Sequence, residues 1–425
     1  MGANPASSRL MRKPLIPVSE AIARIAEAMR VMPKEEVSLS DASGRILADD
    51  AIAILTNPPQ DQSAMDGYAA RGEDITDLPC VLHLKGESAA GHPWPDPIAP
   101  GTCVRISTGA NIPAGADRIV ILENTRSDHS SEQIEILEAP SQDQFIRRKG
   151  QDFHSGDVLI KNGTRLNGRQ MGLLAAAGHH RMMVRRKPVV AILSTGSELV
   201  EPGTNPSAAQ IISSNSIMIA EMIAAMGATA MPLPPIPDNE NALLDAIAGL
   251  THVDLLVMTG GASVGKHDLV AGMMKDHDGL DFWRIAMRPG KPMIFGHIAI
   301  GSAPSEAATT PLLGLPGNPV SSGVCTLIFV RAAIRAMLGL SPVPVTRKAI
   351  LTTDLPANDQ REEYMRGMIQ YDAATGLDHF TPLLSQDSGK MKDFALAEAL
   401  MIRPAHATAI AGGSIVDIIY LNPGD

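Results

Sequence analysis

Four short segments of this sequence combine residue types that handle anions: Ser194-Thr195-Gly196-Ser197-Glu198, Pro237-Asp238, Thr259-Gly260-Gly261-Ala262-Ser263-Val264-Gly265 and Pro316-Gly317-Asn318-Pro319-Val320-Ser321-Ser322. Each follows an apolar, strand-like run. Between them they offer glycines that let backbone N–H groups come close to a ligand, hydroxyls, and the starts of helices, a combination suited to phosphate. The carboxylates Glu198, Asp238 and Asp268 lie on or just beyond these segments. Acids beside anion-binding loops suit Mg²⁺ that bridges to substrate oxygens, because this ion takes one or two carboxylates and completes its shell elsewhere. Any single Gly-rich turn is equally readable as an ordinary strand-to-helix connection. Four of them, each after a strand, are harder to read that way. No GxxxxGK[ST] occurs and no GxGxxG follows a strand, which removes the P-loop and weakens a dinucleotide fold.

The N-terminal half holds further polar loops: Asp61 to Ala69 with Asp66, Thr108-Gly109-Ala110 with Pro113 to Asp117, and Arg147-Arg148-Lys149-Gly150-Gln151-Asp152. Taken alone, each reads first as a turn with hydrophobic anchors. Three basic clusters, Arg147 to Lys149, Arg185 to Lys187, and Arg284, Arg288 and Lys291, could hold an anion, although a solvated face is the default for a charge run. The adjacent His179 and His180 would point different ways in a regular element, so no histidine pair has metal-ligand spacing.

The elements that position these residues follow from periodicity. Residues 18 to 30 have helical apolar spacing, and residues 50 to 149 break into short β-like runs between turns. A second helix at Gly168 to Ala177 is expected to pack onto the first, making the β-rich stretch an insertion. From 188 to 338, apolar strands alternate with helical patterns, the mark of a parallel α/β domain. Asn318-Pro319 opens its last helix, with Asn as N-cap and Pro at the first helical position. Beyond Ser341-Pro342-Val343-Pro344 the β pattern returns. The expected domains are therefore a discontinuous linker-helix domain at 15–50 and 150–186, an inserted β-rich domain at 51–149, an α/β domain at 187–341 and a C-terminal β domain at 342–425.

Composition bounds the function. The 425 residues, 44% hydrophobic, can bury several cores. A formal charge of −10 argues against nucleic-acid binding, which needs a basic face. The three cysteines, Cys80, Cys103 and Cys325, lack both CxxC and metal spacing and fit reduced structural thiols. No signal-peptide-like run and no stretch of 18 apolar residues occurs, so a cytoplasmic protein without a membrane partner is expected.

Six motifs in order resemble bacterial molybdopterin molybdenumtransferases and the gephyrin E domain: Ser63 to Ala69, Arg105 to Ala110, Ser194 to Leu199, Thr259 to Gly265, Arg288-Pro289-Gly290-Lys291-Pro292, and Leu315 to Ser321. The likeness runs from about residue 15 to the C-terminus and loosens in the last quarter. It implies an elongated, four-domain homodimer with the active site between subunits, a central α/β domain like that of molybdopterin adenylyltransferases, and a C-terminal β-barrel-like domain. It also implies the reaction: adenylylated molybdopterin and molybdate are the substrates, Mg²⁺ assists, AMP is released, and molybdenum is left on the dithiolene.

By the same resemblance Asp66, Asp152, Glu198, Asp238 and Asp268 are catalytic, with Glu198 and Asp268 as metal ligands. Thr108, Thr195, Gly260, Gly261, Ser263, Arg284, Arg288, Lys291, Pro316, Asn318, Ser321, Arg366 and Ser388 would contact substrate. Asp66, Thr108 and Asp152 would face the α/β domain of the partner, and other cofactor-biosynthesis proteins would be further partners. Three departures stand out. Lys266 occupies a position where several relatives carry an acid, Ser197 stands where Asp is frequent, and Arg284 and Arg288 replace lysines of some relatives. Two other readings predict different chains: an adenylyltransferase would need only the α/β domain, and a scaffold of the same fold would not need the carboxylates.

Overall fold

Runs of successive apolar residues in a strand need cover on both faces, and Val190 to Leu193, Leu255 to Met258 and Leu312 to Leu315, within the strands Val189–Ser194, Leu255–Thr259 and Thr309–Leu315, have it. In the computed structural model, which describes residues 15–127, 132–260, 279–300 and 309–421, they lie in the middle of one six-stranded sheet. The chain divides into two units, one formed by Glu35–Val184 and the other by Met1–Lys34 with Arg185–Asp425.

In the second of these units the sheet runs in the order Thr229–Pro232, Val189–Ser194, Leu255–Thr259, Thr309–Leu315, Ile294–Ala299, Leu280–Trp283. The first four strands are parallel and Ile294–Ala299 is antiparallel to both of its neighbours, so the sheet is mostly parallel, as expected. Ala191, Leu193, Leu256 and Met258 turn to one face and pack on Leu243 and Ile247 of the helix Glu240–Ala248. The other face is covered by the helices Asn215–Ala225 and Pro319–Met337.

Pro319–Met337 is long and apolar enough to cross a membrane, but Val320, Val324, Ile328, Phe329 and Ala333 are all enclosed, so it is a core helix. Its outer side is taken by Val18–Ala28, which buries Val18, Ala21, Ile22 and Ile25.

The C-terminal part closes on itself. Glu362–Asp372, Leu377–Pro382, Arg347–Leu351, Ile415–Tyr420 and Ala399–Arg403 pair in turn, and the last pairs back onto the first, forming a five-stranded barrel. Leu351, Phe380, Met401 and Ile418 fill it. Gly367 makes room for that filling, since a Cβ there would lie 2.3 Å from the Phe380 ring. The short strand Met287–Arg288 joins the barrel by pairing with Glu362–Glu363.

In the unit Glu35–Val184, a mixed six-stranded sheet runs Arg118–Ile121, Gly67–Ala70, Thr102–Ile106, Cys80–Ser88, Gln133–Ile136, Thr125–Arg126. Its strands alternate: Tyr68 and Ala70 join Leu82, Val120 and Ile134 on one face, while Ala69 joins Ile106 and Ile119 on the other. The helix Gly168–Ala176 opens with a capping box of Asn167 and Gln170 and packs through Leu174 against Leu47, Ile160, Met182 and Val184. Within its own unit this helix packs on the local strand segments, and Val18–Ala28 packs within the other unit on Pro319–Met337.

Candidate active site

Ser194, Thr259 and Leu315, the last residues of three parallel strands, lie side by side in register. The loops that follow therefore leave the sheet together, at the carboxyl edge where open α/β sheets bind ligands. Thr195 N–H donates to Thr259 O at 2.9 Å, and Gly196 N–H to Ile236 O at 3.1 Å. Gly260 has φ +85°, and a Cβ on it would fall 2.2 Å from the carbonyl oxygen of Thr195, so only glycine permits this approach. Gly317 stands against Gly260 from the other side. Thr195, Gly260 and Pro316-Gly317 thus form one continuous wall. The Thr195 hydroxyl is buried in it without a hydrogen-bond partner among the described residues. Gly261, Ser263 and Asp268 lie outside the described residues.

Two carboxylates border the wall. Glu198 folds back over Gly196, with both carboxylate oxygens 2.9 Å from where a Cβ would stand. Asp238 is tied to the neighbouring loop reciprocally: Ser197 N–H donates to Asp238 Oδ2 at 3.4 Å, and Asp238 N–H donates to Ser197 Oγ at 3.3 Å. Ser197, noted above as a departure, therefore positions Asp238. Among the described residues no group of three or more His, Cys, Asp or Glu could by itself cage a metal.

The cations of this unit divide. Arg284 has φ +93° and lays its guanidinium over the Trp283 ring at 5.6 Å. Ile285 N–H donates to Lys291 O at 3.1 Å and Arg284 N–H to Met293 O at 3.0 Å, which brings the backbones carrying Arg284 and Lys291 together. Arg288 instead reaches the barrel, pairing with Glu363 at 2.7 Å and Asp359 at 3.5 Å. Its charge is already compensated. Arg361 and, next to it, Arg288 hold the Asp359 carboxyl down at about 2.

Arg366 is fully buried, and among the described residues its side chain donates to groups of the segment 385–387. Asn318 occupies the N-cap position but makes no capping bond; its side-chain amide donates to Ser388 Oγ at 3.0 Å. Val320 N–H donates to Ser388 O at 3.2 Å, so this helix N-terminus is partly covered rather than open to an anion. Ser321 is buried, and the neighbouring Ser322 hydroxyl donates to Pro316 O. The segment Gln386 to Lys390 is thus where the barrel meets the strand-end loops. Its contacts reach across long separations in sequence, and no local pattern marked them.

In the other unit Asp66 accepts from Thr108 N–H at 2.6 Å and from Thr108 Oγ–H at 3.0 Å, and these two donors hold its carboxyl below the ordinary value. Gly109, with φ +83°, makes the turn that presents Thr108. Asp152 accepts from the Asn57 side-chain amide at 3.1 Å. No hydrogen bond or ion pair among the described residues joins Asp66 with Asp152. Arg148 bridges Asp61 and Asp143, so the middle of the basic run Arg147 to Lys149 is neutralised as well.

Three family descriptions fit consecutive parts of the sequence: the MoeA N-terminal region (domain I and II) at residues 16–178, a probable molybdopterin binding domain at 191–336, and the MoeA C-terminal region (domain IV) at 348–421. Molybdopterin molybdenumtransferase 2 of Mycobacterium tuberculosis is 32% identical over 408 residues, covering 93% of this chain and 96% of its own length. The molybdopterin molybdenumtransferase of Bacillus subtilis is 30% identical over 422 residues, 97% of this chain and 95% of that one. The crystal structure of the molybdopterin biosynthesis moeA protein from Pyrococcus horikoshii superposes with a TM-score of 0.79 at 27% identity, over 96% of this chain and 100% of that one. With its barrel, its mostly parallel α/β sheet and its β-rich N-terminal region in the order of these relatives, the chain belongs to the MoeA family of molybdopterin molybdenumtransferases.

Proposed function

We propose that this chain transfers molybdenum from molybdate to the dithiolene of adenylylated molybdopterin, with Mg²⁺-dependent release of AMP. The observation that carries the reading is the wall of strand-end loops, in which Thr195, Gly260 and Pro316-Gly317 meet beside Glu198 and Asp238. Glycine at 260 and 317 leaves backbone open to the substrate's phosphates, while Arg284 and Lys291 offer cations from one hairpin end.

The donor set fits Mg²⁺. Glu198, with Asp268 from the glycine loop, would hold it, and two carboxylates leave the remaining positions to substrate oxygens and water. When bound, Mg²⁺ polarises the phosphoanhydride that joins AMP to the pterin. The chain's own groups do the rest. Asp238, steadied by Ser197, orients what binds at the strand ends, and Ser263 with Gly261 would cradle phosphate or pterin. Asp66, Thr108 and Asp152 are proposed to complete the same site from the partner subunit of a homodimer; they form a second set of polar groups, carried by the unit Glu35–Val184 and not by the unit of Glu198 and Asp238. The setting is cytoplasmic, with a preceding enzyme that adenylylates molybdopterin.

The test is direct. The chain, adenylylated molybdopterin and Mg²⁺ should release AMP only when molybdate is added, and Asp268→Asn should slow that release and shift its Mg²⁺ dependence. Release without dependence on molybdate would sink the transfer reading, and no release at all would point to a binding or scaffold protein. Tungstate added as competitor reads the oxyanion preference.

A further inference from the structure

We infer that Gln386 and the buried Arg366 form a clamp that positions Ser388, and through it the loop Pro316 to Ser321, so that Arg366 acts as a positioning residue and not as a ligand of the substrate. The inference rests on the reading of the strand-end wall as the substrate site.

Arg366 is 1% exposed and is the largest fully buried side chain among the described residues. A buried guanidinium is tolerated only where its donors are satisfied. Here Nε–H donates to Gln386 Oε1 at 3.3 Å, Nη1 to Asp387 O at 3.1 Å and Nη2 to Ser385 O at 3.3 Å. Every acceptor is a neutral protein oxygen in one turn. A side chain recruited to hold an oxyanion would keep its fork toward solvent; this one is wrapped by the segment it holds.

Gln386 closes the clamp from the other direction. Its Oε1 also accepts Arg366 N–H at 2.9 Å, and its Nε2 donates to Arg366 O and Leu383 O, both at 3.0 Å. Both ends of one amide are therefore used between the strand Glu362–Asp372 and the turn after Leu383. The turn so fixed delivers Ser388 to the helix Pro319–Met337, where Ser388 O accepts Val320 N–H and Ser388 Oγ accepts the amide of Asn318.

A second anchor lies one turn further along that helix. A Cβ on Gly323 would stand 2.3 Å from the Phe394 ring, so glycine there lets the short helix Met391–Leu396 seat against it. The docked segment thus touches the helix whose first residues continue the strand ending at Leu315, beside Gly260. Disturbing the clamp should move the wall without removing any group from it.

The experiment uses the full chain and two readouts. In Gln386→Met, amide hydrogen exchange should speed up at Val320 and at residues 385–389, while the barrel strands keep their protection. Molybdate-dependent AMP release should fall in kcat, by up to about a hundredfold for a displacement of about 1 Å, with KM for molybdate little changed. Arg366→Lys keeps the charge but cannot span three acceptors, so it should match Gln386→Met, and the double variant should be no worse than either, as for groups acting through one contact.

Should Gln386→Met fail to fold, Gly323→Ala approaches the same docking from the Phe394 side and should give the same loss of protection at Val320. Unchanged exchange at Val320 in these variants would overturn the clamp. So would an Arg366→Lys chain that keeps that protection and merely raises KM for molybdate, the behaviour of a direct ligand. Faster exchange with an unaltered AMP rate would overturn the positioning role. If the wild-type chain releases no AMP, it is the proposed function that fails, and exchange at Val320 still decides whether the clamp exists.

Discussion

Asp66 shows how one side chain's chemistry is set by a partner 42 residues away. Its carboxyl is exposed, so desolvation opposes its ionisation only weakly, and the backbone N–H and hydroxyl of Thr108 favour the charged form. A carboxyl whose value is depressed in the folded state keeps its contacts above the ordinary range and loses them only as pH falls through its own lower value. In a carbon-detected NMR titration, Asp66 should therefore titrate below ordinary aspartates. Thr108→Val should raise its midpoint part of the way, since the N–H, the larger contributor, stays. An unmoved midpoint would show that the hydroxyl does nothing. If Asp66 must be ionised to act on substrate, the same variant should shift the acid limb of AMP release upward in pH.

Among elements, the parts legible in the sequence were those with local causes. The fully apolar runs at Val189 and Leu255 could only be covered strands, and a glycine directly after one, as at Gly260, marks backbone that must pass close to a neighbour. The roles of Arg288 and Arg366 were not legible, because side-chain charge says nothing about which distant backbone or acid will meet it. Arg288 is met by Glu363 across the pairing of Met287–Arg288 with Glu362–Glu363, and Glu363 is 6% exposed there, with Arg403 on its far side at 3.9 Å. Glu363→Gln keeps the shape but removes the charge that two arginines share. It should cost about 1–3 kcal/mol, the usual range when a buried charged hydrogen bond is weakened. Urea unfolding should show the lowered midpoint, and an Arg288→Met, Glu363→Gln double variant should recover part of the loss. A midpoint that does not move would mean that strand pairing alone holds the barrel to this edge.

At the scale of the whole molecule, the carboxylates of the proposed site fall into two sets. Asp66 and Asp152 belong to the unit Glu35–Val184, whereas Glu198 and Asp238 belong to the unit that contains the α/β sheet. Two sets in one chain can build a site either within that chain or, in a homodimer, across two copies, and the alternatives differ in a way that mixing reveals. If each site takes Asp66 from one subunit and Glu198 from the other, chains carrying Asp66→Asn and chains carrying Glu198→Gln are inactive alone. After dissociation and random reassociation in equal amounts, half of the dimers hold one chain of each kind. One of the two sites in such a dimer draws both altered residues and the other draws neither, so AMP release should return to about a quarter of the wild-type rate. A site built within one chain leaves every site with one altered residue in any mixture, and no activity returns. Dilution provides the control, because a shared site should lose rate as the dimer dissociates, whereas a site within one chain should turn over at the same rate per chain at every concentration.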